Sequence, residues 1–195
     1  MAEGEVRNRI ISEAARIFAD LGYTGASIQD IVDAAGTTKP MVYYYFQSKE
    51  GLYQEVFRTY NEWVTEAQRE VVSDQALSTR EKLVQLVDIH FDAVRESPDR
   101  ARFMFAAHFG PRKAMPSLAE DGDEDVFFGT IVSLATEGVA SGDLKGDPLL
   151  ISQALLGQIL IHLAFHLSEA KPVSLTDDAA ERVVDQLILG VGGSP

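Results

Sequence analysis

The residues best suited to chemistry stand in one short run, Thr38-Lys39-Pro40-Met41-Val42-Tyr43-Tyr44-Tyr45-Phe46, followed by Gln47-Ser48-Lys49-Glu50-Gly51-Leu52. On a helix, Val42 and Phe46 lie four apart and anchor one face on a core. Lys39, Tyr43 and part of Tyr44 then point away. Exposed aromatics beside a lysine make poor solvated surface but suit a DNA groove, where phenol hydroxyls bond phosphates and ring edges meet thymine methyls. Lys49 opens the next helix, whose free N–H groups suit a phosphate. The plain alternative is a helical corner with partly buried tyrosines, Tyr45 among them, and a solvated lysine.

Other constellations are weaker. His162 and His166 are four apart with Glu169 one turn on, a spacing that suits a metal but equally a polar-punctuated pocket or subunit surface. No Glu stands between the histidines as a metalloprotease base, and no metal is expected. Asp121, Asp123, Glu124 and Asp125 lack the glycine and terminal glutamate of a calcium loop. Without a cysteine the chain has no disulfide, thiolate zinc site or cysteine nucleophile. It also lacks a phosphate loop and a nucleophile elbow. No catalytic residue and no cofactor are therefore expected, and the chain is read as no enzyme.

The elements that must position these residues are helices throughout. Ile10, Ala14, Ile17, Phe18 and Leu21 share a face, and Gly22 ends that helix. Ser27-Ile28-Gln29-Asp30 has the form of a capping box, and Ile28, Ile31, Val32 and Ala35 follow at i, i+3, i+4, i+7. Gly36 stops this second helix. A third runs from about Thr38 to Phe46, with Pro40 tolerated in its first turn. Two short helices joined through Ala35-Gly36-Thr37 form a helix-turn-helix. Ser48 caps a fourth helix. Further helices are expected at 80–96, from Pro98 to Gly110, and at about 124–141, 148–169 and 176–189. Arg112–Asp125 reads as a mobile loop.

From Arg9 to Leu52 the sequence resembles the DNA-binding domain of TetR/AcrR-type repressors. The resemblance rests on Ile10-Ile11, Ala14-Ala15, Phe18, Gly22-Tyr23, Thr24, Ser27-Ile28, Asp30-Ile31, Ala35-Gly36, Lys39, Val42 to Phe46 and Ser48 to Leu52. It implies an all-α chain of about nine helices. Residues 1–47 would form a three-helix DNA-binding domain, and residues 48–195 a ligand-binding and dimerisation domain. It places base and phosphate contacts on Lys39, Met41, Tyr43 and Tyr44, with Thr38 at the helix start and Thr24, Ser27 and Lys49 on the backbone. Thr37, Pro40 and Met41 depart from the usual residues and leave the operator sequence open. The implied partners are double-stranded DNA with a two-fold symmetric operator, a second copy of the chain, and a small-molecule inducer. Ligand binding would move the fourth helix and spread the two heads.

Composition permits this. The net charge of −13 is uneven: residues 1–60 carry six basic against eight acidic side chains, and the remainder eleven against twenty-two. Between Thr37 and Lys49 there are two lysines and no carboxylate. The acid in the C-terminal part would keep that part off DNA. Pro148–Leu167 is very apolar but is interrupted by Ser152, Gln153, Gln158, His162 and His166, so a buried core or interface helix is expected rather than a membrane span. The N-terminus lacks signal-peptide character, and a cytoplasmic location is expected. Gly157 with Ala154, Ile161, Leu155, Ile159 and the last helix is the candidate dimer surface. His90, Phe91, Met104, Phe105, His108 and Phe128 are candidate ligand contacts for a hydrophobic or amphipathic molecule, though such aromatics serve a core as readily. An activator, a corepressor-requiring regulator and a helical carrier or enzyme are the rival readings.

Overall fold

The computed structural model describes residues 3–110, 115–118, 126–168 and 175–190. Most of the loop expected at Arg112–Asp125, with its five acidic residues, lies outside the described residues, as do Glu169, Lys171-Pro172 and residues 191–195. Among the described residues there are nine helices and no strand: α1 Glu3–Gly25, α2 Ile28–Ala35, α3 Lys39–Phe46, α4 Lys49–Ser73, α5 Thr79–Glu96, α6 Pro98–Phe109, α7 Val126–Ser141, α8 Pro148–Leu167 and α9 Ala179–Leu189. The all-α expectation holds. The backbone leaves helical geometry at Gly22, with φ 68° and ψ 169°, so the glycine breaks α1 where expected.

The chain forms two compact units, Met1–Glu62 with Ser97–Glu120, and Trp63–Glu96 with Asp121–Pro195. The first is larger than the first three helices alone. Those three leave a core open on one side, and Leu52, Tyr53 and Val56 of α4 with Phe103 and Met104 of α6 close it. Their partners are Ile10, Ala14, Phe18, Ile31, Val42 and Phe46, all buried. Phe18, Tyr53 and Phe103 meet at centroid separations of 5.0–6.2 Å in edge and tilted arrangements, as aromatic quadrupoles favour. Arg7 pairs with Glu55 and so ties α1 to α4.

In the second unit α5 is buried on nearly every side, including Leu83, Leu86, Val87, Phe91 and Val94, as its all-round apolar pattern demands. Arg80 makes a bidentate pair with Asp185 at 2.7 and 2.9 Å, joining α5 to α9. Arg95 donates to the carbonyls of Leu175 and Thr176 just before α9. α8 has a mean hydropathy of 1.6 and is long and apolar enough to cross a membrane by length and composition. It buries one face, Ser152, Leu155 and Ile159. The buried serine is satisfied locally, its hydroxyl donating to the Pro148 carbonyl at 2.6 Å.

Candidate nucleic-acid interface

The start of α2 is fastened by a reciprocal capping box. The Ser27 hydroxyl accepts from the Asp30 N–H at 3.1 Å, while Ser27 donates its N–H and O–H to the Asp30 carboxylate at 3.0 and 2.6 Å. Those bonds hold the Asp30 carboxyl below the usual carboxylate range. At the other end Gly36 adopts φ 57°, ψ 46°, and the N–H groups of Gly36 and Thr37 reach back to Asp33 and Val32. This left-handed closure reverses the chain within two residues, which only glycine does without a Cβ penalty. The Arg9 guanidinium, from α1, caps the same end by donating to the Ala35 carbonyl at 2.6 Å.

α3 is aimed by that turn and by its own two anchors. Val42 and Phe46 are buried, whereas Tyr43 is 49% and Tyr44 69% exposed. Tyr45 is half-buried, with its ring 5.1 Å from that of Tyr44. Thr38 is the N-cap, is exposed and makes no side-chain cap bond. Lys39 and Pro40 are exposed and Met41 half-buried. Thr24 is exposed, whereas the donors of Ser27 are already directed at Asp30.

The junction after α3 is tight. Gln47 is held at φ 64°, a region that non-glycine residues avoid, and its N–H donates to the Tyr43 carbonyl. A Cβ built on Gly51 would lie 2.2 Å from the Phe46 carbonyl oxygen, so only glycine lets α4 begin this close to the end of α3. Lys49 is half-buried in the same corner. Its Nζ donates to the Ala26 carbonyl at 2.7 Å and sits 4.4 Å from the Tyr23 ring centroid. Burial lowers the pKa of this ammonium. Arg7, Arg9, Arg16 and Arg58 are likewise engaged within this unit. The Lys49 contacts were not legible in the sequence, because Ala26 contributes only a backbone carbonyl.

Residues 10–56 match the family model described as "Bacterial regulatory proteins, tetR family", a span that contains α2, the turn, α3 and the α3–α4 junction. Over these residues the chain carries a TetR-family DNA-binding region. An HTH-type transcriptional repressor, KstR2, of Mycolicibacterium smegmatis is 34% identical over 88 residues, 45% of this chain and 42% of that protein. Matches of this kind span about half the length of the curated relatives. A putative fatty acid metabolism regulator of Clostridium perfringens shares the fold at a TM-score of 0.80 and 20% identity, covering 95% of this chain and all of that one. The regulator FadR of Bacillus subtilis, solved in complex with stearoyl-CoA, has a TM-score of 0.74 at 20% identity with the same coverage. At such identities these two establish the fold alone.

The six candidate ligand contacts divide between the units. Met104, Phe105 and His108 are in the first, where Met104 is buried in the core. His108 is exposed, its Nδ1 2.9 Å from the Met104 carbonyl oxygen and its ring beside Phe57 and Phe109. His90, Phe91 and Phe128 are in the second. There His90 lies 3.9 Å from the Phe127 ring, and its Nε2 is 3.2 Å from the amide nitrogen of the buried Gln68. Phe91 packs on His162, whose Nδ1 is 2.7 Å from the Gln158 carbonyl oxygen. Gln68 escaped the sequence reading, since a lone polar residue on a long amphipathic helix carries no signal of burial. An open cavity of about 370 Å³ in the second unit is lined by Ala67, Val71, Leu77, Ile89 and the acidic Glu70, Asp74, Asp88 and Asp92. None of the six candidates lines it. Burial and the neighbouring Asp92 push the Asp88 carboxyl up. Among the described residues no group of three or more His, Asp or Glu side chains is arranged to hold a metal.

Proposed function

We propose that this chain is a sequence-specific DNA-binding transcriptional regulator, acting as a dimeric repressor that a small hydrophobic or amphipathic ligand releases from its operator. The observation that carries this is the split of α3: Val42 and Phe46 secure it, while Thr38, Lys39, Tyr43 and Tyr44 face outward. In this reading residues 1–47 read DNA. Lys39, Met41, Tyr43 and Tyr44 meet the major groove, and Thr24, Ser27 and Thr38 face the backbone, with Lys49 serving the same edge. Residues 48–195 bind ligand and dimerise, and the protein works in the cytoplasm as a regulator, not an enzyme.

The partner copy is supported by α8. Leu150, Ala154, Gly157, Ile161 and Phe165 recur at intervals of four, three, four and four, and all are exposed, Leu150 by 63%, Ile161 by 48% and Phe165 by 40%. An apolar stripe at coiled-coil spacing, with an open glycine at its centre, suits a second copy of the same helix. The ligand contacts that we retain are His90, Phe91 and Phe128 of the second unit. Because FadR of Bacillus subtilis shares this fold and was solved with stearoyl-CoA, long-chain acyl-CoA thioesters are the first ligands to test.

The test is selection from a randomised duplex pool, then fluorescence anisotropy on the enriched site with and without stearoyl-CoA. A two-fold symmetric site is expected, with Tyr44→Ala and Lys39→Ala each weakening it about tenfold or more. A folded dimer that enriches no sequence at low salt ends the proposal. Undiminished binding by both variants removes α3 from it.

A further inference from the structure

We infer that Lys49 serves operator recognition as a positioning residue: its ammonium clamps the turn Gly22–Ser27 onto the first turn of α4. This rests on the DNA-binding reading above. The geometry is that of a built site for a cation within the protein. Nζ donates to the Ala26 carbonyl at 2.7 Å and stands over the Tyr23 ring at 4.4 Å. Tyr23 is itself fixed, stacked 6.0 Å from Phe18 and edge-on at 5.2 Å to Tyr53. The carbonyl that Lys49 takes belongs to the buried Ala26, which lies in the chain between Thr24 and Ser27, both exposed on the edge proposed to face phosphate. Moving the ammonium to a phosphate forfeits both contacts. Keeping it in place holds the turn, and with it Thr24 and the N-terminus of α2, in register with α4.

The other cations of residues 1–62 sharpen the distinction. Arg7 is paired with Glu55, Arg9 is spent on the Ala35 carbonyl, Arg16 on Glu13, and Arg58 on Glu55 and Glu62. Lys39 is exposed on α3 with no ion pair among the described residues. Recognition then leans on hydroxyls, helix N-termini and Lys39, and few counterions are released. Each lysine on phosphate contributes about 0.9 to the slope of log affinity against log salt. A dimer using Lys39 alone has a slope of about −1.8 from its lysines, and one using Lys49 as well about −3.6.

The experiment is a salt titration of operator binding by the full-length protein and its Lys39→Met, Lys49→Met, Lys49→Arg and Tyr23→Leu variants. Hydrogen exchange on the free proteins is read alongside. Lys39→Met is expected to flatten the slope by about 1.8. Lys49→Met is expected to weaken binding about tenfold at every salt concentration and leave the slope unchanged. Lys49→Arg, which keeps a donor and a cation for the ring, restores most of the affinity. The effects of Lys49→Met and Tyr23→Leu are expected to overlap rather than add. Exchange should quicken at the amides of residues 23–28 and not across the whole unit, which separates the clamp from general destabilisation. A slope flattened by about 1.8 in Lys49→Met, or additivity with Tyr23→Leu, overturns the inference in favour of a direct phosphate contact. If the unaltered protein binds no duplex, the DNA-binding reading falls and takes the operator role of Lys49 with it. The exchange data still report whether the clamp exists.

Discussion

Asp30 illustrates how a side chain's charge state can be set by one neighbour. Its carboxylate accepts the N–H and O–H of Ser27, which favours the ionised form in the folded chain and lowers its pKa. A carboxyl whose folded pKa is depressed adds stability that is present above its unfolded value and is lost as pH falls through the folded value. Titration of the Asp30 carboxyl by NMR is therefore expected to show a midpoint below 3.8, returning towards 3.8 in Ser27→Ala. Amides in the first turn of α2 should exchange faster once Asp30 protonates. An unshifted midpoint would mean that the capping box is open in solution. The box was legible from Ser27-x-x-Asp30 alone, because its two partners are three residues apart. The Lys49–Ala26 bond was not, because it joins residues 23 apart through a carbonyl that every residue type carries.

At the scale of the element, the α3–α4 junction sets two effects against each other. Gly51 lies in the first turn of α4, where alanine improves intrinsic helix propensity by about 1 kcal/mol. The added Cβ would meet the Phe46 carbonyl oxygen at 2.2 Å, and relieving such an overlap costs about 1–3 kcal/mol. The clash should win. Gly51→Ala is expected to lower the melting temperature and to weaken operator binding by turning α3, as calorimetry and anisotropy would show. A stabilised variant with intact binding would mean that the junction has slack. Gln47 offers the opposite sign. Replacing it by glycine removes the cost of its positive φ, a gain of about 1 kcal/mol if the conformation is kept. The helices themselves were readable from period and caps. The closeness of their ends was not, although the glycine in Ser48-Lys49-Glu50-Gly51-Leu52 was its trace.

For the whole molecule, the exposed stripe of α8 is the feature that a single copy leaves unexplained. A Cβ on Gly157 meets nothing within 4 Å, so Gly157→Leu should leave the single copy folded while holding a second helix away. Ile161→Glu puts a carboxylate in the middle of the same stripe. Sedimentation is expected to show dimer dissociation strengthened about a hundredfold or more by either change, with helicity retained. Operator affinity should fall with it, because two half-sites then bind independently. Unchanged sedimentation in both variants would assign the dimer surface elsewhere.

The sequence by itself determined what depends on near neighbours in the chain: the helices, their caps, the glycine that closes α2, and the split of α3 into anchors and outward residues. Period, capping and turn chemistry act over three or four residues, so no distant partner is needed to read them. Only the tertiary structure decided that α6 closes the core of the first unit and that Met104 belongs to it. It also placed the ammonium of Lys49 on a carbonyl and a ring, and divided the six candidate ligand contacts between two units. Those outcomes follow from which apolar faces meet, and an apolar face is written the same way whichever helix covers it.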